Sequence, residues 1–442
     1  MKKILCVLFS AIILIGIMPL KGFAEEKETV TIYGNKISVH AKQVCFVKGG
    51  RNDNFSPESY DSSFKKYYYV GDSTVDFKLI SKKLPELQNL AVIGSNVKNT
   101  SALKSFNDLI WLGLHECGGT ENLSFLKNLG QLKKFRYTFF SADGSPERLR
   151  PLSFLKNVTE LYVKADYESM QDLSPIKNLQ KLTKLHLYNV TAEGTDALAG
   201  LTNLRLLDIR ANDREKTVDL SFLEKHSKLE ELYVTEAYDT KSRNISCIKK
   251  LSNLKWLSID SFENADLSFI GEMGQLESLA VYNSNSSFTE TVGKLTNLKS
   301  LSVIKCTPYR MDLSFLPKLK SLEELFIVNQ NIDDLRGISK LKKLEALSLW
   351  VCEYNDLSEL SKCTSLRELD ISFQSTDFDT AWIEGLPIEE LLIKDTFVLN
   401  GEKITSLKKL KSLVLEYAYG ISDETVGKIK KALPDCKIKR LD

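Results

Sequence analysis

His115-Glu116-Cys117 sets an imidazole, a carboxylate and a thiol within three residues, the ingredients of nucleophilic catalysis. The triplet stands alone, and the apolar pattern around it turns Cys117 inward, away from the exposure and the adjacent base that a reactive thiolate needs. The chain has no phosphate-cradling glycine loop, no Gly-x-Ser-x-Gly elbow and no His-Glu-x-x-His pair. Neither catalysis nor a cofactor is therefore expected. A zinc site has no support either: there is no Cys-x-x-Cys, and His40, His115, His186 and His226 are scattered along the chain. Cys117, Cys306 and Cys352 share one position of a recurring pattern, and Cys363 stands where other copies carry Leu129 or Leu179. Buried free thiols are expected rather than a disulfide framework.

The elements that hold these residues follow from that pattern. An apolar residue, two others, an apolar residue, one other and an apolar residue recur fifteen times, from Leu87-Leu90-Val92 to Leu410-Leu413-Leu415. Steps between copies run from 22 to 26 residues. This is the period of a leucine-rich repeat. Each copy supplies a short strand whose alternate residues point inward, and it cannot bury its apolar face without stacking on its neighbours. The expected fold is an α/β repeat: a right-handed leucine-rich-repeat solenoid with a concave parallel β-sheet and short helices or turns on the convex side. Residues 87–420 hold the repeats, 25–86 an N-terminal cap and 421–442 a C-terminal cap.

A second motif lies between strands: Asp172-Leu173-Ser174, Asp219-Leu220-Ser221, Asp266-Leu267-Ser268 and Asp312-Leu313-Ser314. Its Asp can cap the amides of a short turn. At these residues the chain resembles internalin-type bacterial leucine-rich-repeat proteins, whose outer turns carry a similar Asp-Leu-Ser-Pro-Leu signature. The resemblance covers roughly residues 80–442 and implies the fold and a binding role, but no particular ligand. One departure is plain. The ninth repeat position, often Asn in that family, is Ser95, Cys117, Ala237, Cys306 or Cys352 here, and Asn only at Asn212, so the family's side-chain ladder is expected to be mostly absent.

Residues 1–24 run from Lys2 and Lys3 through an apolar stretch to Gly22 and Ala24, the form of a secretory signal peptide. Without them 57 basic and 58 acidic residues remain, a balance of −1, which lacks the basic excess that nucleic-acid binding requires. No later stretch of the mature chain is apolar enough to span a membrane. A secreted or extracellular protein is expected, released or only loosely held at the cell surface.

The binding signal is aromatic. Side chains two, four, six and often seven positions after each first apolar residue should line the concave face. Those positions hold Trp111, Tyr162, Tyr188, Tyr233, Trp256, Tyr282, Phe326, Trp350 and Phe373, with Phe139 and Tyr417 beside them. Trp382 falls where a core Leu such as Leu360 is expected. A solvated face has no folding reason to hold so many rings, and Trp and Tyr dominate interface hot spots. Tyr233, Trp256 and Tyr282, on three successive strands, are expected to form one patch. The same face is basic in the repeats from 132 to 210 and acidic from 322 onward, with Glu324, Glu368, Asp370, Glu390 and Glu416. The expected function is recognition of a protein partner, such as a host or neighbouring-cell surface protein. A glycan-binding or cell-wall scaffold and an inhibitor of a secreted enzyme stand as alternatives.

Overall fold

Because leucine rows recur at a near-constant step, each copy can add one strand in register with the last. The computed structural model describes residues 28–49, 64–139, 146–165, 172–190, 192–211, 219–235, 244–373 and 376–441. Residues 1–24, expected as a signal peptide, and Asn212 and Ala237 lie outside these. The described residues fall in two compact units, Met1–His186 and Leu187–Asp442.

In the first unit, strands Gln43–Val47, Asn89–Ile93, Trp111–His115, Lys134–Phe139 and Glu160–Ala165 pair in that order, all parallel. Within the N-terminal cap a further strand, Tyr67–Tyr69, pairs with Gln43–Val47. Three consecutive tyrosines suit a pleated, half-buried edge. Thr29–Ile32 and Asn35–Ser38 form an antiparallel hairpin. Helix α1, Phe77–Lys83, is capped by Asp76, whose carboxylate accepts from the Lys78 and Leu79 amides at 2.9 and 3.4 Å.

In the second unit, eleven parallel strands follow one another from Leu206–Ala211 to Lys437–Leu441. Leu257, Leu279, Leu301, Leu325 and Leu347 sit opposite one another in register, and so do Ile259, Val281, Val303, Ile327 and Leu349. All are buried. Each such side chain contributes about 1.5–3 kcal/mol on leaving water, so the two rows are the main apolar support of the sheet. Helix α2, Asp423–Ala432, starts at the Ser422 cap, and the strand Lys437–Leu441 covers the last repeat.

The outer turns are short 3₁₀ segments, and their Asp residues act as the sequence suggests. Asp172, Asp219, Asp266 and Asp312 each accept from the amide two residues on, always at 2.8 Å. The ladder at the ninth position is carried by other side chains than Asn. The Cys117, Cys306 and Cys352 thiols donate to carbonyls of the preceding repeat at 3.3, 3.5 and 3.5 Å. Gln330 donates to the Cys306 carbonyl at 3.0 Å. Sulfur and amide do part of the work expected of Asn.

At the seventh position the backbone is left-handed in many repeats, where most strands end and others bend and run on: Glu116, Asn189, Ser261, Asn283, Lys305, Asn329, Val351, Asp395 and Tyr417 all have φ between 42° and 69°. Asn tolerates this region, whereas a branched residue such as Val351 is strained in it.

Candidate protein-binding face

Strand alternation leaves one face of each sheet turned away from the leucine rows, and it presents the second, fourth and sixth positions. In the first unit much of this open face is covered. Trp111 lies on it but is only 6 % exposed, with Phe64 edge-on at 4.9 Å and Cys45, Val47, Ala91 and Ile93 around it. Its ring lies over Gly113, where a Cβ would come within 2.6 Å of the indole. Trp111 is thus packed rather than presented. His115, on the same strand, is held neutral: burial, then Arg136 and Lys164, push its pKa down to about 3. Tyr162 is half-buried between the Arg136 guanidinium, 5.7 Å from its ring centre, and His186 at 5.9 Å. The basic residues here are partly neutralised, since Glu160 bridges Lys134 at 2.9 Å and Arg136 at 3.3 Å. Burial pushes the Glu160 carboxyl up, but those two cations outweigh it and hold it below the ordinary value.

In the second unit, Tyr188 lies under Arg210, 4.4 Å from its ring centre, and its hydroxyl donates to Asp208. Tyr233 and Trp256 meet at 6.1 Å, both half-buried, and the buried Trp256 Nε1 has no hydrogen-bond partner among the described residues. Tyr282 does not join their rings. Trp256 is the first outward residue of its strand and Tyr282 the third of the next, which separates them by roughly 13 Å along the strand direction. Tyr282, 6 % exposed, instead packs with Ala280 and Ile304, against which Phe326 and Val328 lie. Phe326 meets Trp350 edge-on at 5.7 Å.

Tyr282, Ile304, Val328 and Trp350 are direct cross-strand neighbours, so they form an apolar row across four strands. Ile304 and Val328 are aliphatic and so are not among the rings expected on this face. Their signal was there: both stand six residues after a first apolar Leu, the position of Tyr282 and Trp350.

Phe373 is not on this face. It is 1 % exposed and packs on Tyr354 at 4.7 Å and Phe378 at 6.3 Å. Phe139 is likewise buried, stacked on Tyr137 at 5.0 Å, because its strand runs one residue further and pairs Phe139 with Ala165. A seventh residue in extended strand turns toward the core. Tyr417, left-handed at that position, is exposed. Trp382 also departs from expectation. Ile383 takes the core position, and Trp382 stands half-buried beside Tyr354 and Phe378. The step from Leu366 to Ile388 is the usual 22 residues, but Ile383 stands five residues before Ile388 where Leu360 stands six before Leu366, so counting from the preceding strand misplaces the core residue by one.

Beyond Trp350 the open face turns acidic. Glu368 and Glu390 are direct cross-strand neighbours, and Asp370 is next along from Glu368 on the same face. Asp370 accepts from the Ser348 hydroxyl at 3.2 Å, and Glu324 from Ser300 at 3.2 Å. Burial, then Glu390 and Asp370, raise the Glu368 pKa, and burial pushes Asp370 up to about 6. Lys394 is held by Glu416 at 2.6 Å.

Among the described residues no group of three His, Cys, Asp or Glu side chains could hold a metal, and no helix is long and apolar enough to cross a membrane. Neither a family model nor a curated protein matches the chain. Solved structures do. An internalin from Listeria monocytogenes aligns with a TM-score of 0.52 at 20% identity, over 67% of this chain and 88% of its own. A leucine-rich-repeat protein from Leptospira interrogans aligns with a TM-score of 0.49 at 22% identity, over 81% of this chain and 91% of its own. The first of these shows the fold: this is a leucine-rich-repeat solenoid.

Proposed function

We propose that the chain is an exported, non-catalytic binding protein that takes a protein partner on the open face of its second unit. The observation that carries this reading is the run of half-buried rings there: Tyr233 on Trp256, and Phe326 on Trp350, on strands that nothing in folding requires to be aromatic on that side. Such rings, once fully desolvated by a partner, contribute most of an interface's affinity. Tyr188 is tied to Arg210 and belongs to the margin of the proposed site, whereas Tyr162, in the first unit, is tied to Arg136. Trp111 and Phe373 act in packing.

Export rests on residues 1–24, and the mature chain starts near Glu25. Two measurements test the proposal. Intact mass of protein recovered from culture medium is expected to lack residues 1–24; their retention would overturn export. Capture of surface proteins by the full chain is expected to fail with Trp256→Ala and Trp350→Ala, both still folded. Capture that is indifferent to both would overturn the site.

A further inference from the structure

We propose that the open face of the second unit recognises an extended, cationic–apolar peptide segment of its partner, with an aromatic or aliphatic side chain on Phe326, Val328 and Trp350, the accessible end of the Tyr282–Trp350 row, and Lys or Arg residues beside Glu368, Asp370 and Glu390. This rests on the sheet-face reading above and names the chemistry of what that face takes.

The apolar row comes first. Tyr282, Ile304, Val328 and Trp350 cross four strands in register, with Phe326 alongside. Tyr282 and Ile304, 6 % and 5 % exposed, are the packed floor of the row, and the half-buried Phe326, Val328 and Trp350 are the part a ligand can meet. Ser302, 1 % exposed and in register between Ala280 and Phe326, leaves its hydroxyl without a hydrogen-bond partner, as Trp256 leaves its Nε1.

The charge comes second, and it decides the partner. Across the strands that follow, the titratable groups on this face are Glu324, Glu368, Asp370 and Glu390, then Lys394, which Glu416 already neutralises, and, two strands beyond Glu390, Lys437 and Lys439 on the last strand. The strands Ser300–Ile304 and Ala346–Trp350 contribute no charge here. Like charges placed directly opposite on neighbouring strands, as Glu368 and Glu390 are, work against the sheet. Folding gains nothing from them. A cationic ligand removes the repulsion and is steered to the site by it. The raised pKa values of Glu368 and Asp370 agree: these carboxyls lack the counter-charge that would lower them.

A display library of random 12-residue peptides panned against the full chain tests this, with selected peptides then synthesised and titrated calorimetrically. Enriched peptides are expected to combine Lys or Arg with aromatic or aliphatic residues. Their affinity should fall at least tenfold for Glu368→Gln/Glu390→Gln and for Trp350→Ala. The double Gln variant relieves repulsion, so it folds at least as well as the parent; unchanged melting checks this. Peptides that depend on Trp256 or Trp350 but carry no basic residue and ignore the double variant would overturn the inference and leave the sheet-face reading standing. Peptides indifferent to every variant on the face would overturn both. Self-association of the chain that the double variant abolishes would replace the peptide with a second copy, and so would also overturn it.

Discussion

Asp370→Asn should make the protein more stable while making it a poorer binder. The carboxyl belongs to a half-buried face with Glu368 and Glu390 near it, and its pKa stands at about 6 against an ordinary 3.8. A raised acid pKa means that the folded state favours the neutral form. Stability is therefore lowest above pH 6 and is regained as pH falls through 6 toward 4. The full gap corresponds to roughly 3 kcal/mol at neutral pH. Because the side chain keeps part of its hydration, about 1–2 kcal/mol is the realistic gain. For a unit of this size that raises the melting temperature by roughly 3–6 °C. Asn keeps an oxygen for the Ser348 hydroxyl and removes only the charge. Thermal unfolding of both proteins at pH 4, 5.5 and 7.5 measures the effect: a clear difference at 7.5, shrinking at 5.5 and absent at 4. In parallel, the affinity for a cationic peptide should drop for the variant at pH 7.5, and for the parent as pH falls below 6. An Asn variant less stable than the parent at pH 7.5 would refute the reasoning, because the carboxylate would then be supported by its surroundings rather than opposed by them.

Three further outcomes are expected. Trp256→Ala should weaken partner binding by about 2 kcal/mol or more, roughly thirtyfold, with little change in melting temperature; loss of folding with intact affinity per folded molecule would make the Tyr233–Trp256 pair structural. Thiol titration of the native protein should label Cys436 alone among the described cysteines, because burial pushes Cys117 and Cys247 up to about 12 and Cys306, Cys352 and Cys363 up to about 11, and Cys45 is buried too; the rest should react only in denaturant. Val351→Asn should stabilise by about 1 kcal/mol in urea unfolding, because Val351 is 38% exposed at φ 50° and Asn occupies the same place comfortably at Asn283 and Asn329; a loss of stability would mean that its side chain packs against something on the strand edge.

The leucine rows were legible because two constraints coincide. Alternation assigns each residue a face, and a near-constant 22-residue step fixes the register, so Leu257, Leu279 and Leu301 could fall nowhere but opposite one another. The same alternation put Tyr233, Trp256, Phe326 and Trp350 on the right face. It could not say what covers them. Trp111 is sealed by Phe64, which comes from a segment with no repeat pattern to announce it. Phe373 and Phe139 failed for a different reason: at the seventh position the side chain faces out or in according to whether the backbone there is left-handed or extended, and that is a backbone choice that residue type influences only weakly. Tyr282 had the right face but the wrong neighbours, because position along a strand matters as much as which strand. The charges behaved in the opposite way. Lys134, Glu160, Asp208 and Arg210 read from sequence as a basic region, yet they largely answer one another in space. Glu368, Asp370 and Glu390 read as acidic and stay so, without a cation between them. Pairing costs a protein little when lysines are as common as they are in this chain. A buried-edge acidic cluster left uncompensated beside an apolar row is therefore the part of the face that folding does not account for, and it is where the partner's chemistry is written.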